Sequence, residues 1–503
     1  MLSSMLEATS SRHPQGAALV WRDAHFSWET LASAVRARAA ELHEAGVASA
    51  DAVVLLLPNC PDFVARFFGA ISLGAVAAPL DPGFRLPELI EALRGCTLGA
   101  IVACDATAEV ATDLAAHFRD AVPVLHSDLD LPEVAGGSRG ERRVVPRDAD
   151  ALLGFSSGTT GSARRFARSH DNLVQEASNF TASVDLGPED VVLGVAPFFH
   201  AHGLGNAVLA AACSGATLAI EERFHPRDLL GRIREQSVSV FAGVPFMFRT
   251  LADVTQSAAS DLGSLRLAFS AGAPLTRDTF EAFDKRFGVL VRQLYGCSEA
   301  GSVSINLDPD AAGTWDSVGL PVRGVEVQVI DDSDSPCAPG EVGRIALASP
   351  AATCAYHGGP DPEAFDDGWF LPGDLGRLDD LGRLYLTGRT QTFLSTSVGK
   401  VEPAEIERCI AAHAEVREVV VVGVPSRAGD ERAKAVVVPR NAGLTPAEAV
   451  ALRRAIVAHC RERLAEFKVP RLVEFRSEIP RSSLGKILRR ELVREPDPTS
   501  PRG

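Results

Sequence analysis

A run of small hydroxyl residues and glycines, SSGTTGS from Ser156 to Ser162, has the composition of a loop that holds phosphate groups. Glycines let the backbone approach a ligand, consecutive amides can surround an anion, and hydroxyls donate hydrogen bonds. Arg164 and Arg165 follow and can neutralise negative charge. The run differs from the G-x-x-x-x-G-K-[ST] phosphate loop, because Ala163 stands at the second glycine position. The residue types indicate a polyphosphate site, and an ordinary solvent loop is the alternative.

Lysine is rare in this chain, so each lysine is informative. Lys486 follows Gly485 near the start of a predicted helix, where the helix dipole disfavours a cation. Keeping lysine there indicates a need for a compact point charge, with a solvated surface lysine as the alternative. Of the 50 Lys and Arg residues, the lysines are Lys285, Lys400, Lys434, Lys468 and Lys486.

Six further motifs follow the Ser/Thr/Gly run in a fixed order. Together they resemble the adenylate-forming superfamily, which contains acyl-CoA synthetases, stand-alone adenylation domains and beetle luciferases. The resemblance extends from about Phe26 to Leu492. The motifs are PFFHAHGL (Pro197–Leu204), FSAGAPL (Phe269–Leu275), LYGCSEAG (Leu294–Gly301), GWFLPGDLG (Gly368–Gly376), LTGRTQTFLSTSVGKVEPAEIE (Leu386–Glu407) and IPRSSLGKILRREL (Ile479–Leu492).

The resemblance implies a ligase that uses ATP, Mg²⁺ and CoA to activate a small-molecule carboxylic acid. The carboxylate attacks the α-phosphorus of ATP, pyrophosphate leaves, and the acyl-adenylate is then transferred to a thiol. Bringing two anions together requires cations and oriented dipoles at the phosphates.

The same resemblance assigns the nucleotide-binding residues. Asp374 is expected to accept hydrogen bonds from both ribose hydroxyls, with Arg389 nearby. The phosphate set is Ser156, Ser157, Gly158, Thr159, Thr160, Gly161 and Arg164, and the adenine set is Gly272, Ala273, Pro274, Tyr295 and Gly296.

Four catalytic residues and two metal ligands are also implied. Ser298 is expected at the α-phosphate, and Glu299 and Thr160 are expected to bind Mg²⁺, a hard cation that prefers oxygen ligands. Lys486 would bridge the acid carboxylate and the α-phosphate. His200 would flank and gate the acyl site; the alternatives are a structural role for His200 and a substrate contact made by His202 instead.

Departures near the nucleotide motifs are mild. Ala163, Arg164 and Arg165 stand where the family usually has Pro-Lys-Gly, and Arg164 keeps the charge. Leu371 and Pro372 replace the usual Arg-Thr before Gly-Asp. We expect adenylation to survive both changes.

Departures after Arg389 are more serious. Gln391 stands at the family's hinge position, Ser395 replaces a usual lysine, and Val398 stands where a glycine normally faces the thiol tunnel. A side chain at Val398 could obstruct a narrow pantetheine tunnel. The hypothesis is that adenylation is intact while the CoA step is weakened or passed to another protein. The alternatives are an acyl-AMP ligase that loads a carrier protein in trans and a catalytically inactive binding homologue.

The acid itself is indicated only by class. The predicted pocket segments, Phe241–Phe248 and Ala300–Asp308, mix apolar and small residues and favour a hydrophobic acid: fatty, aryl or terpenoid. The arginine bias and the altered thioester segment give a weaker resemblance to the diterpenoid-acid synthetases of the platensimycin and platencin pathways.

Composition excludes several classes of function. A net charge of −15 argues against a nucleic-acid-binding surface. No apolar run is long enough for a membrane span, and the first residues lack a secretion signal. The nine cysteines show no metal-binding spacing. We therefore expect a cytoplasmic enzyme, with a homodimer suggested by the family.

The predicted fold is mixed α/β. Short β-branched runs alternate with helical patterns over the first part of the chain, which favours parallel sheets. From about Val325 the pattern becomes antiparallel and barrel-like, and two strands (Glu415–Pro439) and a helix (Thr445–Phe467) follow. We predict an N-terminal adenylate-forming domain over residues 1–390 and a mobile C-terminal domain over residues 391–503 that carries the catalytic lysine.

Overall fold

The computed structural model divides the chain into two compact units. The large unit comprises Met1–Pro372 and Arg377–Leu386, and the small unit comprises Gly373–Gly376 and Thr387–Gly503. The structure describes residues 2–84, 86–118, 122–132, 144–156, 164–254, 262–357, 361, 363–389, 394–396, 399–401, 403–425, 431–441, 443–464, 468–482 and 486–493.

The large unit contains a nine-stranded sheet of order β15-β14-β13-β12-β11-β9-β10-β1-β2. Its neighbours from β1 through β13 pair in parallel, while β2, β14 and β15 pair antiparallel at the two edges. The strands are β1 (Ala17–Trp21), β2 (Ala24–Ser27), β9 (Val191–Gly194), β10 (Thr217–Ile220), β11 (Val240–Gly243), β12 (Leu267–Ser270), β13 (Val291–Cys297), β14 (Gly301–Ile305) and β15 (Leu320–Pro321).

A six-stranded sheet of order β6-β5-β3-β4-β7-β8 lies in the same unit and is parallel except for the edge strand β8. The prediction of parallel sheets is therefore confirmed for both sheets. The strands are β3 (Ala52–Leu56), β4 (Val76–Pro79), β5 (Leu98–Ala103), β6 (Val124–His126), β7 (Asp150–Ser156) and β8 (Arg164–Ser169).

The predicted change to antiparallel pairing after Val325 is also confirmed. In a third sheet of order β18-β19-β17-β20-β21, β16 pairs antiparallel with β17, and β19 pairs antiparallel with β17 and β18. The strands are β16 (Glu326–Ile330), β17 (Gly343–Ala348), β18 (Phe365–Asp366), β19 (Trp369–Phe370), β20 (Asp374–Leu378) and β21 (Leu384–Arg389).

Helices of the large unit cover the sheets and bury apolar faces. In α3, Cys60 caps the first turn, Pro61 occupies the first helical position, and Phe63, Phe67 and Phe68 are fully buried. The helices are α1 (Leu2–Arg12), α2 (Trp28–Glu44), α3 (Pro61–Ser72), α4 (Leu86–Ala92), α5 (Ala108–His117), α6 (His170–Val184), α7 (Ala201–Gly203), a π-helix (Leu204–Leu209), α8 (Ala210–Ser214), α9 (Pro226–Glu235), α10 (Pro245–Asp253) and α11 (Arg277–Phe287).

The small unit is a sheet with helices packed on it. The predicted strand pair is confirmed: β24 and β25 are antiparallel, and β26 joins β25 in parallel. The predicted helix from Thr445 is also present: Thr445 caps α13 through a capping box, but the helix ends at Arg461 rather than at Phe467. The elements are β22 (Leu394–Thr396), β23 (Gly399–Val401), α12 (Pro403–Ala411), β24 (Val416–Pro425), β25 (Glu431–Pro439), α13 (Pro446–Arg461), β26 (Leu472–Phe475) and α14 (Arg489–Val493).

Within the described ranges, no helix has the length and hydropathy needed to cross a membrane.

One histidine is buried in the large unit without polar contacts. His170, the first residue of α6, has 0% exposure, and neither of its ring nitrogens has a hydrogen-bond partner among the described residues. Burial disfavours the imidazolium and lowers the pKa of His170 to about 4, against a weaker opposing effect of Asp171. His170 is therefore neutral in the folded protein at neutral pH.

Folding stability should consequently fall as the pH falls from 6.5 to about 4, because the unfolded chain protonates His170 near pH 6.5 and the folded chain does not. The loss attributable to this residue is about 3 kcal/mol over the window. We expect His170→Leu to raise the thermal unfolding midpoint relative to wild type as the pH is lowered. His43→Leu, at an exposed position, is the control. Parallel pH profiles for wild type and His170→Leu would contradict the prediction.

Candidate active site

The Ser/Thr/Gly run lies between two antiparallel strands, β7 and β8. β7 ends at Ser156, whose backbone is in register with Arg164 at the start of the antiparallel strand β8. β8 leads directly into α6, which begins with a capping box formed by Ser169 and Asn172. The phosphate-binding candidates Ser157, Gly158, Thr159, Thr160 and Gly161 lie outside the described residues.

The two arginines after the run have different surroundings. Arg164 Nη1 lies 3.0 Å from Oδ2 of Asp361, and its guanidinium lies over the Tyr356 ring at 5.0 Å. Arg165 Nη1 instead donates to the Arg94 carbonyl and lies 3.3 Å from Sγ of Cys96. Arg164 therefore combines an ion pair with a cation–π contact, whereas Arg165 is tied to the segment that follows α4.

Glu299 is a buried carboxylate with 6% exposure, in the turn between β13 and β14. Its Oε1 accepts a hydrogen bond of 2.8 Å from the Tyr356 hydroxyl, and its carbonyl accepts one of 2.8 Å from the Thr353 amide. The preceding residue, Ser298, is half-buried in the same turn. Burial and the adjacent Glu299 charge raise the pKa of Tyr356 above its usual value, so Tyr356 remains a neutral donor.

The adenine candidates come together at the carboxyl ends of neighbouring parallel strands. Gly272, Ala273 and Pro274 are exposed in the loop after β12, and Tyr295 is buried near the end of β13, which pairs with β12. Gly272 has a φ of +81°, which favours glycine, and Gly296 follows Tyr295 in β13. Ligands of open α/β sheets bind at such strand ends, so this placement suits a nucleotide base.

A buried ion pair supports the turn that carries Glu299. Arg168 on β8 and Glu176 on α6 are 1% and 3% exposed, with 2.6 Å between Nη1 and Oε2. Arg168 also donates to the Ala351 carbonyl, at 3.1 Å from Nε and 2.8 Å from Nη2. The Glu176 carboxylate lies so close to Gly301 and Gly205 that a Cβ at either position would lie within 2.3 Å of it.

The two histidines of the third motif differ in their contacts. His200 precedes α7 and its ring lies 4.6 Å from that of Phe199. His202 Nδ1 lies 3.1 Å from Asn206 Oδ1, and its Nε2 lies 3.1 Å from the Gly243 carbonyl. Burial lowers the pKa of His202, which favours its neutral form. A protein oxygen thus lies within hydrogen-bond distance of each ring nitrogen of His202, although the neutral ring can donate through only one of them.

The small unit brings Asp374 and Arg389 together. Asp374 is 5% exposed, and its Oδ1 lies 2.6 Å from Nε of Arg389, whose side chain is 55% exposed. A buried carboxylate oriented by a guanidinium has the acceptor capacity that two ribose hydroxyls require.

Lys486 is exposed and lies in a hairpin just before α14, which begins at Arg489, so its place near a helix start agrees with the sequence prediction. The Lys486 amide donates to Ser482 Oγ at 3.2 Å, and its carbonyl accepts from the Ser482 amide at 2.7 Å. An isolated bridge between Arg481 and Ile487 closes the hairpin. The backbone of Lys486 is therefore fixed by hairpin pairing.

The altered thioester segment is described only in part. β22 and β23 form a hairpin in which Ser395 is paired with Lys400 and Thr396 with Gly399. Gln391 and Val398 lie outside the described residues.

Several residues that shape this site were missed in the sequence. Tyr356, Asp361, Arg168, Glu176 and Asn206 come from segments without a recognised motif, and their contacts depend on the tertiary fold. One signal was present: the chain has three tyrosines, and Tyr295 and Tyr356 are two of them.

Comparisons with known proteins were consistent along the chain. A family model described as AMP-binding enzyme matches residues 6–357, and one described as AMP-binding enzyme C-terminal domain matches residues 405–486. The chain is 31% identical over 490 residues to a feruloyl-CoA synthase of an Amycolatopsis species, covering 97% of this chain and 96% of the relative.

A second relative and a solved structure agree with this match. The chain is 30% identical over 537 residues to a long-chain-fatty-acid–CoA ligase of Escherichia coli O6:H1, covering 98% of this chain and 94% of the ligase. The crystal structure of ATP-bound MatB from Rhodopseudomonas palustris is similar with a TM-score of 0.85 at 25% identity, covering 98% of both chains.

The ion pair between Arg168 and Glu176 leaves no room for a side chain at Gly301, which predicts a loss of stability on substitution. Gly301 has a φ of +72°, and a Cβ there would lie 2.3 Å from Cδ of Glu176, which Arg168 holds in place. We expect Gly301→Ala to lower the free energy of unfolding by about 3 kcal/mol, from the backbone conformation and the steric overlap together.

Gly288→Ala is the matched control for backbone conformation. Gly288 has a φ of +66°, and no atom of the described residues lies within 4 Å of an added Cβ. This variant should lose only about 1 kcal/mol. Equal losses for the two variants, measured by thermal unfolding, would show that the contact with Glu176 does not constrain position 301.

Proposed function

The chain belongs to the AMP-binding enzyme family, and from that premise we propose that it converts a hydrophobic carboxylic acid into an acyl-adenylate more efficiently than it completes the transfer to CoA. The full-length match together with the retention of Lys486, Glu299 and Asp374 carries this proposal. At the coarser level, the protein is an AMP-forming acid–thiol ligase that uses ATP.

The first half-reaction joins the acid to AMP. A carboxylate oxygen attacks the α-phosphorus of MgATP, the bond to the bridging oxygen breaks, and pyrophosphate leaves. In the second half-reaction a thiol sulfur attacks the acyl carbon and AMP leaves, with the thiol proton lost to solvent. The protein's contribution is to orient the reactants and to stabilise negative charge at the phosphates.

Glu299 is the proposed ligand for the magnesium of MgATP. Mg²⁺ usually takes one or two carboxylates and completes its coordination with substrate phosphates and water. A single buried carboxylate held by Tyr356 fits that donor set, and no cluster of three or more His, Cys, Asp or Glu side chains able to hold a metal was found in the described ranges. Thr160 is the second proposed ligand.

The other candidate residues are assigned to the remaining parts of ATP and to the acid. We assign the phosphates to the Ser/Thr/Gly run, Arg164 and Ser298, and the adenine to the loop 272–274 with Tyr295 and Gly296. Asp374 and Arg389 are assigned to the ribose, which their 2.6 Å ion pair supports. Lys486 is assigned to the carboxylate and the α-phosphate, where its exposed ammonium would offset the two approaching charges.

A hydrophobic acid is the proposed substrate. Phe241, Met247 and Phe248 of the predicted pocket segments are buried in an apolar cluster, while Phe246 is 40% exposed and makes an edge contact with Phe224. The relatives above are named for feruloyl and long-chain fatty acids, which supports an aryl or fatty acid; a terpenoid acid is the third candidate.

The acceptor is the finer part of the proposal. Gln391, Ser395 and Val398 depart from the family pattern, whereas the adenylation residues are retained. We propose a weakened CoA step, with a phosphopantetheinyl carrier protein or a separate thioesterifying partner as the alternative acceptor. An inactive binding homologue is disfavoured because Lys486, Glu299 and Asp374 are all present. A cytoplasmic homodimer remains the expected form.

Lys486→Ala should lower acyl-adenylate formation by about 100-fold or more, because charge stabilisation at the reacting centre is lost. Pyrophosphate release and acyl-AMP are measured with ATP, Mg²⁺ and a panel of fatty, aryl and terpenoid acids. The control is Lys285→Ala, which removes an exposed lysine at the end of α11. If wild type releases no pyrophosphate with any acid of the panel, the proposed function is contradicted. Equal rates of acyl-adenylate formation for the two variants would contradict the role of Lys486.

With CoA present, we expect wild type to accumulate acyl-AMP and to form acyl-CoA slowly. Val398→Gly should raise acyl-CoA formation about tenfold, equivalent to about 1.4 kcal/mol of barrier, by opening the thiol path. Mass spectrometry of both products separates the half-reactions, and an unchanged rate of pyrophosphate release is the internal control. Rapid acyl-CoA formation by the wild-type protein alone would overturn the proposed asymmetry.

A further inference from the structure

The Tyr356 hydroxyl contacts the carboxylate that the proposed function assigns to magnesium. It donates to Oε1 of Glu299 at 2.8 Å, and Glu299 is 6% exposed. A hydrogen bond to an ionised acceptor in a buried place is short and strong, and it restricts the rotamers of both side chains.

The Tyr356 ring is itself held on several sides. Its backbone forms an isolated bridge with Phe166 of β8. Its ring meets Phe365 edge-on with 5.2 Å between centroids, and Phe365 stacks on Phe370 at 4.9 Å. The Arg164 guanidinium lies over the ring at 5.0 Å. The hydroxyl is thus presented to Glu299 from a fixed ring.

We infer that Tyr356 is a positioning residue that orients the Glu299 carboxylate for the magnesium of MgATP. The inference rests on the proposed function, because it takes MgATP as the substrate bound by Glu299. Residues that hydrogen-bond to a metal ligand fix its orientation and raise metal affinity.

A neutral donor suits this position better than a cation. A lysine or arginine paired with Glu299 would compensate the charge that attracts Mg²⁺, whereas a phenol orients the carboxylate and leaves it anionic. The nearby cation, Arg164, is paired instead with Asp361 at 3.0 Å.

Tyr356→Phe removes the hydroxyl and keeps the ring. Calorimetric titration with ATP is done once with Mg²⁺ and once with EDTA, on wild type, Tyr356→Phe and Glu299→Gln. We expect Tyr356→Phe to weaken MgATP binding by about 10-fold to 100-fold, the range found for residues that support metal ligands. Binding of metal-free ATP should change much less, because the hydrogen bond to Glu299 affects ATP binding through the metal ligand.

Tyr385→Phe is a matched control within the large unit. The Tyr385 hydroxyl lies 3.4 Å from Oδ2 of Asp379, and the Arg377 guanidinium lies over its ring at 4.0 Å. The variant therefore loses a phenol hydroxyl that lies beside a carboxylate and under an arginine, but at a position without contact to Glu299. It should bind MgATP and metal-free ATP as wild type does.

The outcomes separate the inference from the proposed function. If wild type shows no preference for MgATP over metal-free ATP, or Glu299→Gln keeps that preference, the proposed magnesium ligand is wrong and the inference falls with it. If Glu299→Gln loses the preference while Tyr356→Phe keeps it, the inference alone is overturned. An equal loss of both forms of ATP in Tyr356→Phe also overturns it, since it indicates a general structural role.

Discussion

The buried ion pair between Arg168 and Glu176 is the interaction on which the site in the large unit depends. Two charges with 1% and 3% exposure are tolerated only when each has close polar partners, and removing one partner would leave the other charge uncompensated. The pair joins β8, which follows the phosphate-loop candidate, to α6 and to the Ala351 carbonyl. Because the carboxylate fills the space beside Gly301 and Gly205, those positions lack room for a side chain. One ion pair therefore constrains the backbone at Gly205, at Gly301 and at Ala351.

The side chains around the proposed magnesium ligand, Glu299, are arranged so that the nearby cation pairs with a different carboxylate. Arg164 pairs with Asp361 and lies over the Tyr356 ring, while in the described part of the chain Glu299 accepts a hydrogen bond from the neutral hydroxyl of that tyrosine. Asp374 differs, because its carboxylate is paired directly with the Arg389 guanidinium. A carboxylate that binds Mg²⁺ must not be neutralised by a neighbouring cation. A carboxylate that accepts hydrogen bonds from hydroxyls must above all be held in the correct orientation. The two pairings agree with the roles proposed for the two carboxylates.

The sequence predicted the strands and the helix start whose formation depends on residues close together in the chain. β-branched runs gave the parallel strands, and Thr445 with Pro446 gave the start of α13, since caps and strand patterns are short-range. The hairpin that holds Lys486, closed by the bridge between Arg481 and Ile487, was not predicted, because no propensity rule signals it. Tyr356 was missed for a similar reason: its partners Glu299 and Arg164 are 57 and about 190 residues away in sequence, so their contact exists only in the tertiary fold.

In this arginine-rich chain, the burial of each lysine helps to distinguish a structural role from a functional one. Arginine is the common basic residue here, so a lysine marks a position where arginine is not equivalent. For Lys434 the reason is structural: it is 4% exposed, and its ammonium lies 2.7 Å from Glu474 in a space that suits a compact cation. Lys486 is exposed, so the same packing argument does not apply to it. Its hairpin fixes the backbone, and an exposed side chain is compatible with the substrate contact proposed for it.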